Sequence, residues 1–201
     1  IYGRNIWGCP TDSNGDFAWL QHMVKSMNPK TGRCAVVLPQ GVLFRSGKEG
    51  EIRKQLVESD KLEAIITMAS GVFYSTGVSA CILFLNNNKA VSHRGRICMI
   101  DGSSIYTPQR AQNIMTEADI QTVFDYYTTY EDVIEKVKIV TIADIREKDY
   151  SLAINNYIEK KEQETVPPEE IRRQYFEAYD EMIEAETRMR ELLLKGGYIS
   201  E

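Results

Sequence analysis

Arg45, Lys48, Arg53 and Lys54 place four cations within one short stretch, the densest basic cluster in the early part of the chain. Side chains of this kind contact phosphate oxygens, which is how proteins hold a nucleic-acid backbone. Glu49 and Glu51 are interleaved with them, so a solvated helix face is the competing reading. A second basic run, His93-Arg94-Gly95-Arg96, reads as a polar hairpin turn. Nucleophilic chemistry finds no support, because His22 and His93 come without accompanying signature residues. His22 lies on or beside an apolar helical stripe with no Cys or Asp at ligand spacing, so it reads as structural. Cys9, Cys34, Cys81 and Cys98 are too scattered for a CxxC metal site. The last three sit in apolar runs, where thiols act as small core groups, and a reduced, cytoplasmic setting is the default.

Charge narrows the possibilities further. The net charge is −5, whereas nonspecific nucleic-acid binding draws on many cations meeting phosphates. Gripping DNA would therefore need a local patch or a partner subunit. No apolar run approaches the roughly 18 residues that span a bilayer. Nothing at the start reads as a signal peptide. The chain opens with Ile1 and not Met, so a processed or truncated N-terminus is expected.

The elements that must position these residues follow from periodicity. Asp16 to Met27 carries apolar residues at 17, 20, 24 and 27, a helical stripe that Ser13 or Asn14 could cap. Cys34–Leu38 predicts a strand buried on both faces. A glycine-punctuated loop from Pro39 to Gly50 comes next, then a helix to about Ser59 with Ile52, Leu56 and Val57 inward. Strands are predicted over Leu62–Met68, Ala80–Leu85 and Arg96–Ile100. Thr116 and Asp119 form a capping-box pattern for a helix with Ile120, Val123, Phe124 and Tyr127 on one side. Strand–helix alternation argues for α/β layering with a parallel sheet at its centre. After residue 160 the pattern changes. Pro167-Pro168 opens a helix in which Ile171, Tyr175, Ala178, Met182, Ala185, Met189 and Leu192 form a heptad seam ending at Gly196-Gly197. That helix packs either on its own domain or against another chain.

Four blocks, in order, carry a resemblance. They are Gly15-Asp16-Phe17-Ala18-Trp19-Leu20-Gln21-His22-Met23, Val37-Leu38-Pro39-Gln40-Gly41-Val42-Leu43-Phe44-Arg45-Ser46-Gly47, Gly71-Val72-Phe73-Tyr74-Ser75-Thr76-Gly77-Val78, and Asp149-Tyr150-Ser151-Leu152 with Tyr157. Together they are similar to the second half of the modification subunits of type I restriction-modification systems, over residues 1 to about 160. The resemblance implies a DNA adenine-N6 methyltransferase. Its fold class would be α/β: the C-terminal half of a Rossmann-like, S-adenosylmethionine-dependent methyltransferase sheet, followed by a helical tail. Cys34–Leu38 would be that sheet's fifth strand, Leu62–Met68 its sixth and Ala80–Leu85 its antiparallel seventh. The loops after Leu38 and Met68 would then border the cleft, with Pro39, Gly41, Arg45, Thr76 and Gly77 shaping it and Gly77 free to take positive φ.

The resemblance also shows what is missing. Family members bind the amino hydrogens of a flipped adenine with an Asn/Asp-Pro-Pro-aromatic motif. The only double proline here follows Val166 and precedes Glu169, so it does not match, and no glycine-rich turn is placed to hold the cofactor. No catalytic or metal residue is expected in this chain, and S-adenosylmethionine is expected to bind the full-length parent but not this fragment alone. Phe73 and Tyr74 match the family position beside the flipped base. Either one stacks on it, or one is core and the other an ordinary loop residue. Residues 1–160 would be the trailing half of the catalytic domain and 161–201 a docking tail. In that tail Ile171, Tyr175, Met182, Met189 and Leu192 would meet a specificity subunit. The other implied partners are a second modification subunit, a restriction subunit and double-stranded DNA through the complex, with no membrane. The alternative is a non-catalytic scaffold that docks the specificity subunit; a methyltransferase acting on RNA or a small molecule is disfavoured.

Overall fold

In the computed structural model, residues 3–73, 76–110, 112–159 and 167–199 are described. The chain divides into two compact units, Ile1–Lys160 and Lys161–Glu201.

The first unit is a five-stranded mixed sheet with helices on both faces. Helix α1 (Asp16–Ser26) leads into β1 (Arg33–Pro39), a 3₁₀ turn (Gln40–Leu43) and α2 (Lys48–Glu58). Then come β2 (Leu62–Met68), β3 (Ala80–Asn86) and β4 (Arg96–Gly102). A small ribbon of β5 (Thr107–Pro108) and β6 (Asn113–Ile114) precedes α3 (Glu117–Thr129), β7 (Val137–Thr141) and α4 (Ile142–Glu147). The strand order is β1-β3-β2-β4-β7. Strand β3 runs antiparallel between β1 and β2, β2 and β4 are parallel, and β7 is antiparallel to β4. The centre is thus mixed and not parallel. Burial on both faces makes a strand apolar whatever its direction, so an apolar run cannot report orientation.

Side-chain alternation assigns the two faces. Leu62, Ile65, Leu83, Leu85, Ile97 and Met99 join Phe17, Leu20, Ile52 and Leu56 from α1 and α2 in one core cluster. Ala64, Ile66, Met68, Cys98 and Ile100 meet Val123 of α3 in the other. A register shift between Leu62 and Ala64 turns Glu63 into a buried position, where its carboxylate accepts from Asn86 and from the Tyr127 hydroxyl. Four local expectations are corrected, the last of them the N-cap of α1. Strand β1 is buried at Val36 and Leu38, but Val37 is 49% exposed, because its side chain points to the opposite face of the sheet from the cluster shared with α1 and α2, and no core cluster covers it there. Helix α2 starts at Lys48, within the stretch expected to be loop, because Gly47 at φ +68° turns the chain into it. In α3 the capping box forms, yet Ile120 and Phe124 are exposed. The buried side is instead centred on Val123, Tyr126, Tyr127 and Tyr130.

Gly15, not Ser13 or Asn14, occupies the N-cap of α1; Asn14 Oδ1 instead accepts from the Asp16 amide. Strand β7 and helix α4 escaped the sequence reading, although Thr141 and Asp144 repeat the capping-box pattern at α4. The second unit is helix α5 (Pro168–Lys195), whose Ile171, Tyr175, Met182, Met189 and Leu192 are all exposed. Among the described residues no helix is long and apolar enough to cross a membrane.

Candidate functional site

The carboxyl ends of β1, β2 and β4 open on a cleft of 210 Å³ lined by Gln40, Phe44, Thr67, Ser79, Asp101 and Asn155, among others. Crevices in this position are where sheets of this kind bind ligands. Asp101 is 6% exposed, and its Oδ1 accepts from the Thr67 hydroxyl at 3.1 Å and the Ser103 amide at 3.0 Å. These bonds fix the carboxylate at the rim of the cleft. Asp101 lies on β4, a strand the resemblance did not number, so the sequence reading missed it.

The loop between β2 and β3 rises from this cleft. Phe73 is half-buried on it; Tyr74 lies outside the described residues. Gly77 is exposed and does not take positive φ, so it needs no glycine's freedom. That role falls to Gly71 at φ +70°, whose carbonyl accepts from the Asn113 amide at 3.0 Å. The Asn113 side chain donates to the Ser70 carbonyl at 2.8 Å, so β6 holds one stem of the loop. Thr76 is exposed, and its hydroxyl accepts from the Val78 amide.

The basic cluster separates into distinct roles. Arg45 Nη1 donates to Asp16 at 2.9 Å and to Glu49 at 3.3 Å, joining α1 to α2. A Cβ at Gly41 would lie 2.7 Å from Arg45 Nε, so the glycine makes room for the guanidinium. Arg45 is thereby removed from the phosphate candidates. Two nearby carboxylates at this range satisfy its charge more cheaply than a distant phosphate would. Arg53 is 4% exposed, with Nε donating to the Tyr150 carbonyl at 2.8 Å and Nη1 to those of Arg45 and Val42. Lys48 is exposed to solvent, and Lys54 lies half-buried with Nζ 5.3 Å from the Tyr150 ring centroid.

The tyrosine block is a staple onto this region. Asp149 and Tyr150 both take left-handed backbone, at φ +50° and +54°. The turn they make offers the Tyr150 carbonyl to Arg53, while the Leu152 amide donates to the Leu43 carbonyl at 2.8 Å. Tyr150 also donates its hydroxyl to Glu58, which Arg146 grips through two further bonds. Those two partners, Arg146 first, hold the Glu58 carboxyl down to about 2. Three of the four motif blocks therefore meet around Arg45 and Arg53. Among the described residues no group of His, Cys, Asp and Glu is arranged to hold a metal ion.

Comparison with known proteins gives a consistent picture. The family model described as N-6 DNA Methylase matches residues 2–166. The type I restriction enzyme MjaVII methylase subunit of Methanocaldococcus jannaschii is 34% identical over 187 residues, 88% of this chain and 32% of its own. The HindI methylase subunit of Haemophilus influenzae is 34% identical over 169 residues, 80% of this chain and 38% of its own. The chain thus spans about a third of the length of these curated relatives. A solved methyltransferase subunit of a type I restriction-modification system from Streptococcus thermophilus aligns at TM-score 0.71 and 32% identity, covering 75% of this chain and 31% of that one. The solved EcoKI M protein, at 20% identity and TM-score 0.56, shares the fold.

Proposed function

Since the chain belongs to the N-6 DNA methylase family, we propose that it forms the trailing part of the catalytic domain in a type I modification subunit. That enzyme transfers a methyl group from S-adenosylmethionine to N6 of adenine in duplex DNA, at a cytoplasmic target chosen by a specificity subunit. The observation that carries this reading is the order β1-β3-β2, with an antiparallel strand inserted between two others beside a carboxyl-end cleft. The unpaired edge of β1 is where the parent's sheet would continue.

Family membership implies S-adenosylmethionine for the parent, but the described residues of this chain do not make a cradle for it. The space beside Gly41 is taken by Arg45 and that beside Gly102 by the Thr67 carbonyl at 2.6 Å. No methyl-transfer step is assigned to these side chains. Their part is to shape the base side of the cleft. To Phe73, half-buried on the loop between β2 and β3, this reading assigns the stacking contact with an extruded adenine, worth roughly 1–3 kcal/mol.

The test is a chimera in which this chain replaces the corresponding third of the Haemophilus influenzae relative. With that system's specificity subunit, the chimera should methylate adenine in duplex DNA. Phe73→Ala should lower the rate without unfolding the protein. A folded chimera that methylates nothing would overturn the reading.

A further inference from the structure

A second concavity adjoins the cleft. Between the first turn of α2 and the Asp149-Tyr150 turn lies a groove of 330 Å³, lined by Ser46, Gly50, Arg53, Lys54 and Lys148 among others. Arg53 is 4% exposed in the floor of this groove. Its Nε and Nη1 are engaged with carbonyls, and its Nη2 makes no hydrogen bond among the described residues. A Cβ at position 50 would stand 3.8 Å from Nη2, so glycine leaves that amino group uncovered. The amino end of α2 adds a separate set of donors. Gly47 supplies no side-chain cap, and the first helical bond in this turn is from Glu51 to the Gly47 carbonyl. The amides of Lys48, Glu49 and Gly50 make no hydrogen bond among the described residues, and of the three Gly50 lines the groove. Three cations and the two carboxylates of Glu51 and Asp149 line the groove, so it is net positive in a chain of net charge −5.

We propose that this groove binds a phosphate group, and that its source is a phosphodiester of the DNA backbone. The source rests on the function proposed above; the phosphate chemistry does not. Tetrahedral oxygens suit the combination of a guanidinium amino group, the Gly50 amide and the Lys54 ammonium, with Lys148, whose Nζ already donates to the Asn156 carbonyl, adding positive charge. Phe44, 57% exposed, lines both the groove and the carboxyl-end cleft. A nucleotide with its base in the cleft can therefore set its phosphate in the groove, across that ring.

Titration of the full chain, followed by the amide and arginine side-chain NMR signals, tests this with two probes: inorganic phosphate and a short DNA duplex. Both should shift Gly50, Glu51 and the Arg53 side chain saturably. Gly50→Val, which roofs Nη2, should weaken duplex binding at least tenfold. If valine unfolds α2, Gly50→Ala suits a helix and still places a methyl against Nη2. Replacing Lys54 and Lys148 by Gln should reduce the salt dependence of duplex binding by about one to two phosphate contacts. Duplex binding that leaves these signals unmoved, or that survives occlusion at position 50, would overturn the proposal. So would binding of inorganic phosphate without the duplex, which would make the groove a free-phosphate site. None of these readouts depends on methylation, so an inactive chimera would leave the groove standing.

Discussion

Arg53 Nε lies 2.8 Å from the carbonyl oxygen of Tyr150, a bond between residues 97 positions apart in the chain. It ties α2 to the turn after α4, and Nη1 of the same guanidinium ties both to the chain around the 3₁₀ turn. Replacing it with a methionine of similar length would strand three carbonyls in a buried place. Arg53→Met should cost about 3 kcal/mol, since a single bond to a charged group contributes roughly 1.5–3 kcal/mol. Urea unfolding measures this, and Arg53→Lys should rescue little, because an ammonium cannot fork to carbonyls in three directions.

Gly41 and Arg45 should behave as a coupled pair. A methyl at Gly41 displaces the guanidinium from Asp16 and Glu49, and Glu49 is only 3% exposed. The damage from Gly41→Ala then comes from a buried carboxylate losing its cation and not from the backbone. In an Arg45→Ala background the same change should be nearly silent. A double-mutant cycle should return a coupling of about 1–3 kcal/mol; additivity would show that the glycine is needed for some other reason.

The Glu58 carboxyl is held at about 2, below the 4.5 of an unperturbed glutamate, by Arg146 and the Tyr150 hydroxyl. A depressed folded value favours the native state fully above the unfolded value, and that stabilisation is lost as pH falls from about 4.5 through 2. Glu58→Gln should therefore be less stable than the parent at pH 6, with the gap closing across that window. Because the group is exposed, salt should narrow the gap as well. A gap independent of pH would refute the ion-pair account.

Burial pushes the Cys81 and Cys98 thiols up to about 12. Cys9 is exposed and Cys34 half-buried. Alkylation at pH 8 should label Cys9 quickly and spare Cys81 and Cys98 until the protein unfolds, as mass spectrometry of digests would show. Rapid native labelling of Cys98 would contradict its place beneath α3.

Helix α5 displays Ile171, Tyr175, Met182, Met189 and Leu192 at exposures from 52% to 64%. An apolar stripe of that length on an exposed helix fits a partner helix, which we propose belongs to the specificity subunit. Met182→Asp with Met189→Asp should abolish capture of that subunit while leaving the thermal unfolding of the sheet unit unchanged. Undiminished capture would rule out this face as the docking surface.

The second strand was legible in the sequence from end to end, and β3 and β4 to within two residues, because unbroken apolar runs bounded by turn residues leave few alternatives. The α3 capping box was legible for the same local reason, since its partners are three residues apart. The four motif blocks pointed to the family, but not to how they meet in space. Bonds from Arg45 to Asp16 and from Arg53 to Tyr150 bring three of them together, and each joins residues that no local pattern connects. Nothing in the run around Lys48 distinguishes a cation facing solvent from one facing the protein. Charge is a property of the residue, while its availability is set by what folds against it. The sequence alone settled strands β2, β3 and β4, the α3 capping box, the family resemblance and the missing proline motif. Strand direction, the mixed sheet, the Asp101–Thr67 pair in the cleft and the different surroundings of Arg45 and Arg53 were decided by tertiary contacts. Those depend on long-range packing, which composition and periodicity do not encode.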